Sequence, residues 1–290
     1  MDMTQDTAVH PTSPLPHLGL VLASPSPALA PYVHSYWFIN RTWTRPYPLE
    51  ENLYPEGGVG IIFNAGDPVL VDGTAVTAPA FLDATNSFRT RLGFQGRVAL
   101  AGIRFHPGGA FPFLPLPLKE VHNLPVALDQ ILPPTLISWG TQLADLPTLA
   151  QKAAHLEAIL HRWYRPQQEL SPDIHTALTA IRQTKGQINL HALAEANFIS
   201  QRQLERHFQA QVGLSAKTYA RLVRVQTARI RLRQAQPTAH LSQDLGFYDQ
   251  SHFIRDFQAI MGLTPQQYRQ YRVLRQQKWQ LAEVTQKDST

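Results

Sequence analysis

Residues 195–219, EANFISQRQLERHFQAQVGLSAKTY, align with residues 244–268, DLGFYDQSHFIRDFQAIMGLTPQQY, at an offset of 49 and without a gap. Gln201 meets Gln250, Arg206 meets Arg255, Phe208 meets Phe257, and Gly213-Leu214 meets Gly262-Leu263. Two copies of one supersecondary unit explain such a match, and two are too few to build a solenoid. Each copy reads as a short helix, about residues 190–196 or 240–245, then a bend holding Asn197 or Gly246, the residue types that best tolerate a left-handed backbone. Ser200 or Asp249 follows, suited to cap the next helix by accepting from its free N–H groups. In that helix, expected over about residues 200–211 or 249–260, Leu204 and Phe208, or Phe253 and Phe257, stand four apart and face inward. Gln201, Arg202, Glu205 and Arg206, or Gln250, Ser251, Ile254 and Arg255, are therefore turned outward. This is the plan of a helix-turn-helix, whose second helix fits the major groove of DNA.

The outward residues have the chemistry of base reading. Arg pairs bidentately with guanine, Gln with adenine, Glu accepts from cytosine, and an apolar side chain such as Ile254 meets a thymine methyl. The distribution of charge agrees. Residues 171–280 hold 15 Lys and Arg against 6 Asp and Glu, a balance of +9, whereas residues 1–170 hold 10 against 13, a balance of −3. Positive charge is thus concentrated where the repeat lies, as suits a module that meets a polyanion. The helix expected between the copies, about residues 215–234, adds Arg221, Arg224, Arg229, Arg231 and Arg233 as candidates for phosphate neutralisation.

The first half has a different texture. From Tyr32 to about Phe113, short apolar runs such as YVHSYWFI, VGIIFNAGD and RVALAGIRFHPGG are separated by Gly, Pro, Asn and Asp, which favours a compact sheet or small barrel. Residues 146–164 then carry Leu149, Ala153, Leu156, Ile159 and Leu160 on one helical face. Beyond Ser171, which stands where it can cap a helix opening on Pro172, the chain reads as wholly helical, with breaks at Lys185-Gly186, Val212-Gly213, Pro237 and Met261-Gly262. The expected class is α+β. A disordered arm over 1–16 precedes a β-rich, barrel-like domain with trailing helices over 17–168. An all-α domain over 171–276 holds two helix-turn-helix subdomains joined by a long helix, and a tail over 277–290 ends the chain.

Several functions are disfavoured. The chain has no cysteine, which removes disulfide scaffolds, thiolate zinc and thiol nucleophiles. HPGG at 106–109 lacks the Gly-Lys-Ser or Gly-Lys-Thr ending of a phosphate loop, His155 and His161 are six apart rather than four, and no Gly-x-Ser-x-Gly occurs. No catalytic residue, cofactor or metal is expected. Pro25 and Pro27 interrupt an apolar run too short for a bilayer, so neither a leader nor a membrane is expected and the chain reads as cytoplasmic.

The repeat with its linking segment, LAEANFISQRQLERHFQAQVGLSAKTYARLVRVQTARIRL followed by LGFYDQSHFIRDFQAIMGLTPQQYR, resembles the AraC/XylS family of bacterial transcription regulators over residues 174–272. The resemblance implies two recognition helices in successive major-groove segments, with base contact on Arg202, Glu205, Arg206, Gln250, Ser251 and Arg255. The first turn departs from the family in carrying Phe198 where glycine or another small residue is common. YPEGGVGIIFNAGD and AGIRFHPGGAFPFL are similar to the sensor domains of a subgroup. That likeness implies a small-molecule effector, a homodimer or both, with Tyr54, Glu56, Arg104 and His106 as candidate pocket residues. Double-stranded DNA and RNA polymerase are the implied macromolecular partners, and activation the implied mode. A small-molecule enzyme or a pure dimerisation platform in the first half are the alternatives, separable by the shape and polarity of any cavity.

Overall fold

A computed structural model describes residues 9–10, 15–121, 125–234 and 238–274. Most of the expected arm over 1–16, the tail over 277–290 and Pro237 lie outside the described residues. The β-rich half contains β1 (Val9–His10), β2 (Val21–Ala23), β3 (Val33–Trp43), β4 (Leu49–Leu53), β5 (Gly60–Asn64), β6 (Val69–Val71), β7 (Thr74–Val76), β8 (Ala80–Asp83), β9 (Thr90–Phe94), β10 (Gly96–Phe105) and β11 (Val126–Ala127). They form two antiparallel sheets that do not close on themselves, one in the order β1-β2-β3-β10-β5-β8-β11, the other β4-β9-β6-β7.

The apolar run GIIFN follows from where β5 sits. Ile61 and Phe63 point into a core shared with the helix α2, Leu149–Trp163, while Ile62 points into a second core with Leu92 and Phe94 of the smaller sheet. A strand covered on both faces needs apolar residues at every position rather than at alternate ones. α2 follows the shorter α1 (Pro134–Thr141) and buries Ala153, Leu156, Ile159, Leu160 and Trp163 against the larger sheet. Thr148 and Gln151 close its first turn as a reciprocal capping box.

The second half comprises α3 (Pro172–Gln183), α4 (Leu190–Ala196), α5 (Gln201–Val212), α6 (Ala216–Arg233), α7 (Thr238–Asp244) and α8 (Gln250–Met261). Residues 265–274 form α9. Ser171 stands before α3, yet its hydroxyl makes no cap bond; it is held by Gln211, whose Nε2 donates to Ser171 Oγ at 2.8 Å. α6 divides its length between two cores. Ala216, Tyr219, Ala220 and Leu222 pack with Leu204 and Phe208, whereas Val225, Ala228 and Leu232 pack with Phe253 and Phe257. One helix thus contributes to both cores.

Candidate nucleic-acid interface

The turn before each recognition helix is set by one left-handed residue and one cap. In the first unit that residue is Phe198, at φ 56°, rather than Asn197, at φ −99°, whose side chain instead donates to Leu193 O at 2.7 Å. In the second it is Gly246, at φ 67°. Ile199 N donates to Ala194 O at 3.1 Å and Phe247 N to Ser242 O at 2.9 Å, so both turns end their first helix by the same backbone closure. The turns are therefore equivalent at an offset of 48, like α4 and α7, while the recognition helices keep 49; the extra residue is Tyr248. The gap lies where an ungapped alignment of side chains could not register it.

Ser200 Oγ accepts from Gln203 N at 3.2 Å, with Gln203 Oε1 accepting from Ser200 N, and Asp249 Oδ1 accepts from His252 N at 2.6 Å. Phe198 is 98% exposed, so its ring returns nothing for an unfavourable backbone. Phe198→Gly is expected to raise stability by about 1 kcal/mol, read as a higher midpoint in chemical denaturation.

With the caps fixed, Gln201, Arg202, Arg206, Gln250, Ser251 and Arg255 lie exposed on the two recognition helices. Four other candidates are half-buried and engaged within the protein. Glu205 Oε2 accepts from Ala216 N at 3.1 Å, so this carboxylate caps α6 instead of facing outward. Ile254 is half-buried against the second core. Arg221 Nε lies 2.9 Å from Asp256 Oδ1, which ties α6 to α8 through a buried aspartate. Arg224 donates to Gly246 O at 3.4 Å and lies over the Phe247 ring at 5.2 Å, its burial lowering the guanidinium pKa. Arg229 and Arg231 are also engaged, with Glu56 at 3.8 Å and Asp244 at 2.9 Å. The arginines of α6 are largely struts that hold the units together. Asp256, on which Arg221 and His252 converge, has no sequence signal beyond its place among apolar neighbours.

A cavity of about 670 Å³ lies where the two halves meet. Leu18, Trp37, Ile39, Ile62, Leu92 and Phe94 give its apolar wall, and Tyr54, Glu56 and Arg104, three of the four candidate effector residues, also line it. His106 does not; its ring packs edge-on against His34. Arg104 precedes the register shift in β10, a bulge of the kind that re-aims side chains at a site. It reaches Asp83 Oδ2 at 3.4 Å and Glu56 at 3.8 Å. Burial raises the Asp83 pKa, against the opposing pull of Arg104 and of Asn86. Burial likewise pushes the Tyr54 phenol up to about 12. Its hydroxyl is buried and makes no hydrogen bond among the described residues.

Sequence reasoning missed the other side of this cavity. Arg229, Arg233, Tyr268, Tyr271 and Arg272 come from α6 and α9, and buried His17 and Glu51 pair at 3.0 Å on its wall. No spacing rule joins residues so far apart. Among the described residues, no helix is long and apolar enough to cross a membrane, and no cluster of three His, Asp or Glu could hold a metal.

Residues 193–271 match a helix-turn-helix domain family, and residues 22–127 match a domain family of unknown function, DUF6597. No curated protein matches the chain. Similar solved structures include the C-terminal domain of AraT, a response regulator from Geobacillus stearothermophilus, at 25% identity and TM-score 0.34, covering 36% of this chain and 88% of that one. A transcriptional regulator with an AraC-type DNA-binding domain, from Chromobacterium violaceum, is 24% identical at TM-score 0.33, covering 35% and 92%. ToxT from Vibrio cholerae is 8% identical at TM-score 0.43, covering 80% and 97%.

Proposed function

The C-terminal unit belongs to the AraC/XylS family of regulators, and from that premise we propose that this chain activates transcription by reading one DNA site with two helices under the control of a small molecule. That it is a DNA-binding transcription regulator follows from the helix-turn-helix domain. The finer reading assigns base contact to Gln201, Arg202 and Arg206 in α5 and to Gln250, Ser251 and Arg255 in α8. It makes residues 17–168 the sensing domain and 171–276 the DNA-binding domain, working in the cytoplasm.

One observation carries this reading. The N-terminal turns of α5 and α8 present polar side chains to solvent, while their opposite ends, at Val212 and Ile260, accept hydrogen bonds from the β-rich half. The docked arrangement therefore leaves the reading edge open. The effector reading is supported by the cavity, which is chiefly apolar with a few polar groups, as ligand sites usually are. Both halves wall it, so an occupant that fits this docked arrangement better than another would shift the equilibrium between them.

The test is transcription in vitro from a promoter that carries the chain's selected site, with purified protein and bacterial RNA polymerase. Transcript is expected to rise several-fold on addition of the chain. A fall would reverse the assigned sign and make the polymerase a competitor for the site.

A further inference from the structure

One five-residue segment of the β-rich half, Thr85-Asn86-Ser87-Phe88-Arg89, touches both recognition helices at the same place. Thr85, fully buried, donates through Oγ1 to Val212 O at 3.4 Å, at the end of α5. Four residues on, Arg89 N donates to Ile260 O at 2.8 Å, at the end of α8. Gly213 and Gly262, which terminate these helices, are partners in the repeat, at φ 86° and 69°. Both also lie against the segment. A Cβ on Gly213 would stand 2.7 Å from Thr85 Oγ1, and one on Gly262 would stand 2.8 Å from Arg89 Nε. The Arg89 guanidinium thus sits beside the carbonyl end of α8, where a cation is favoured. Its Nη1 also donates to Asn52 Oδ1 at 3.0 Å, and Asn52 donates to Tyr271 of α9 at 3.2 Å.

We propose that residues 85–89 are a spacer that fixes the separation and relative rotation of the two recognition helices, with Thr85 and Arg89 as its positioning residues. Four residues span at most about 14 Å, so the two anchors cannot drift apart while both are held. On the other side the units are joined by α6 and by Gln187, whose Nε2 donates to Asp244 O of α7 at 2.9 Å, and the spacer adds a further tie at the far ends of both recognition helices. The spacer also begins at the cavity: Asn86 Nδ2 donates to Asp83 Oδ1 at 3.3 Å, and Asp83 is the cavity-wall carboxylate that meets Arg104. A change at that wall is thereby passed to both helices together. This inference rests on the reading that both helices enter DNA.

The experiment compares full-length wild-type protein, a variant with Gly-Gly inserted between Ser87 and Phe88, and Thr85→Val. Each is titrated against three duplexes: the selected site, and the same site with one or two base pairs added between its two blocks. Wild-type protein is expected to lose about tenfold or more per altered spacing, as one unit loses its bases. The insertion variant is expected to lose less than about threefold across the same duplexes, with Thr85→Val between them. A merely structural role would weaken all three duplexes by one common factor, and that result overturns the proposal. If the insertion abolishes folding, the Thr85→Val ratio decides alone. Wild-type indifference to spacing would instead sink the two-helix reading beneath it, a result distinct from an unchanged ratio in the variants.

Discussion

Phe257→Ala is expected to cost about 3–5 kcal/mol, the largest effect of any single change considered. Phe257 is fully buried, and its ring stands edge-on to Phe253 at 5.7 Å and to Tyr268 at 5.8 Å. Truncation removes the transfer free energy of the ring and leaves a cavity that two aromatic neighbours cannot readily fill. The core it belongs to is separate from that of the first unit, so the loss should be local. Hydrogen exchange is expected to accelerate over residues 238–274 and to stay slow over α3 to α5. Phe208→Ala, the repeat partner, should give the mirror result, slow over the second unit and fast over the first. A uniform rise across both would mean that the two units unfold together.

The second large effect falls on binding. Arg202→Ala and Arg255→Ala are each expected to cost about 1–3 kcal/mol at the cognate site, roughly 5- to 150-fold in Kd, with relaxed preference at one base pair. Both side chains are exposed, and neither serves a core. Arg224→Ala is the contrasting control. Its guanidinium packs on Phe247 and meets Gly246 O, so its loss should lower the unfolding midpoint of the second turn and weaken all DNA sequences alike. An equal loss over all sequences for Arg202→Ala or Arg255→Ala would assign that residue to phosphate.

The C-terminal fold was legible because its rules are local. Apolar pairs at four-residue spacing, caps at Ser200 and Asp249, and glycines after each recognition helix fix the helices to within a residue or so. The turn was harder. Asn197 looked like the left-handed residue by type, but its amide is better used on Leu193 O, which moves the strain to Phe198. The fate of the arginines was not legible either. Helical periodicity puts Arg221 and Arg224 on a surface of α6, and only the packing of α7 and α8 decides that this surface is internal. In the first half, runs bounded by turn residues announced strands, while the order in which they pair, in two sheets that do not close, depends on long-range contacts that no local pattern encodes. Tyr54, Glu56 and Arg104 reach the cavity from one side; the wall given by Arg229, Tyr268 and Tyr271 depends on how the halves dock, which no local pattern encodes.

The central claim is that two equivalent helices read one DNA site together. Selection of bound duplexes from a random pool, with the full-length protein at two salt concentrations, tests it most directly. The expected result is two short conserved blocks whose centres lie about one helical turn apart, roughly 10 base pairs, with overall affinity falling as salt rises and both blocks persisting. A single conserved block, or enrichment without any sequence preference that vanishes at the higher salt, would contradict it.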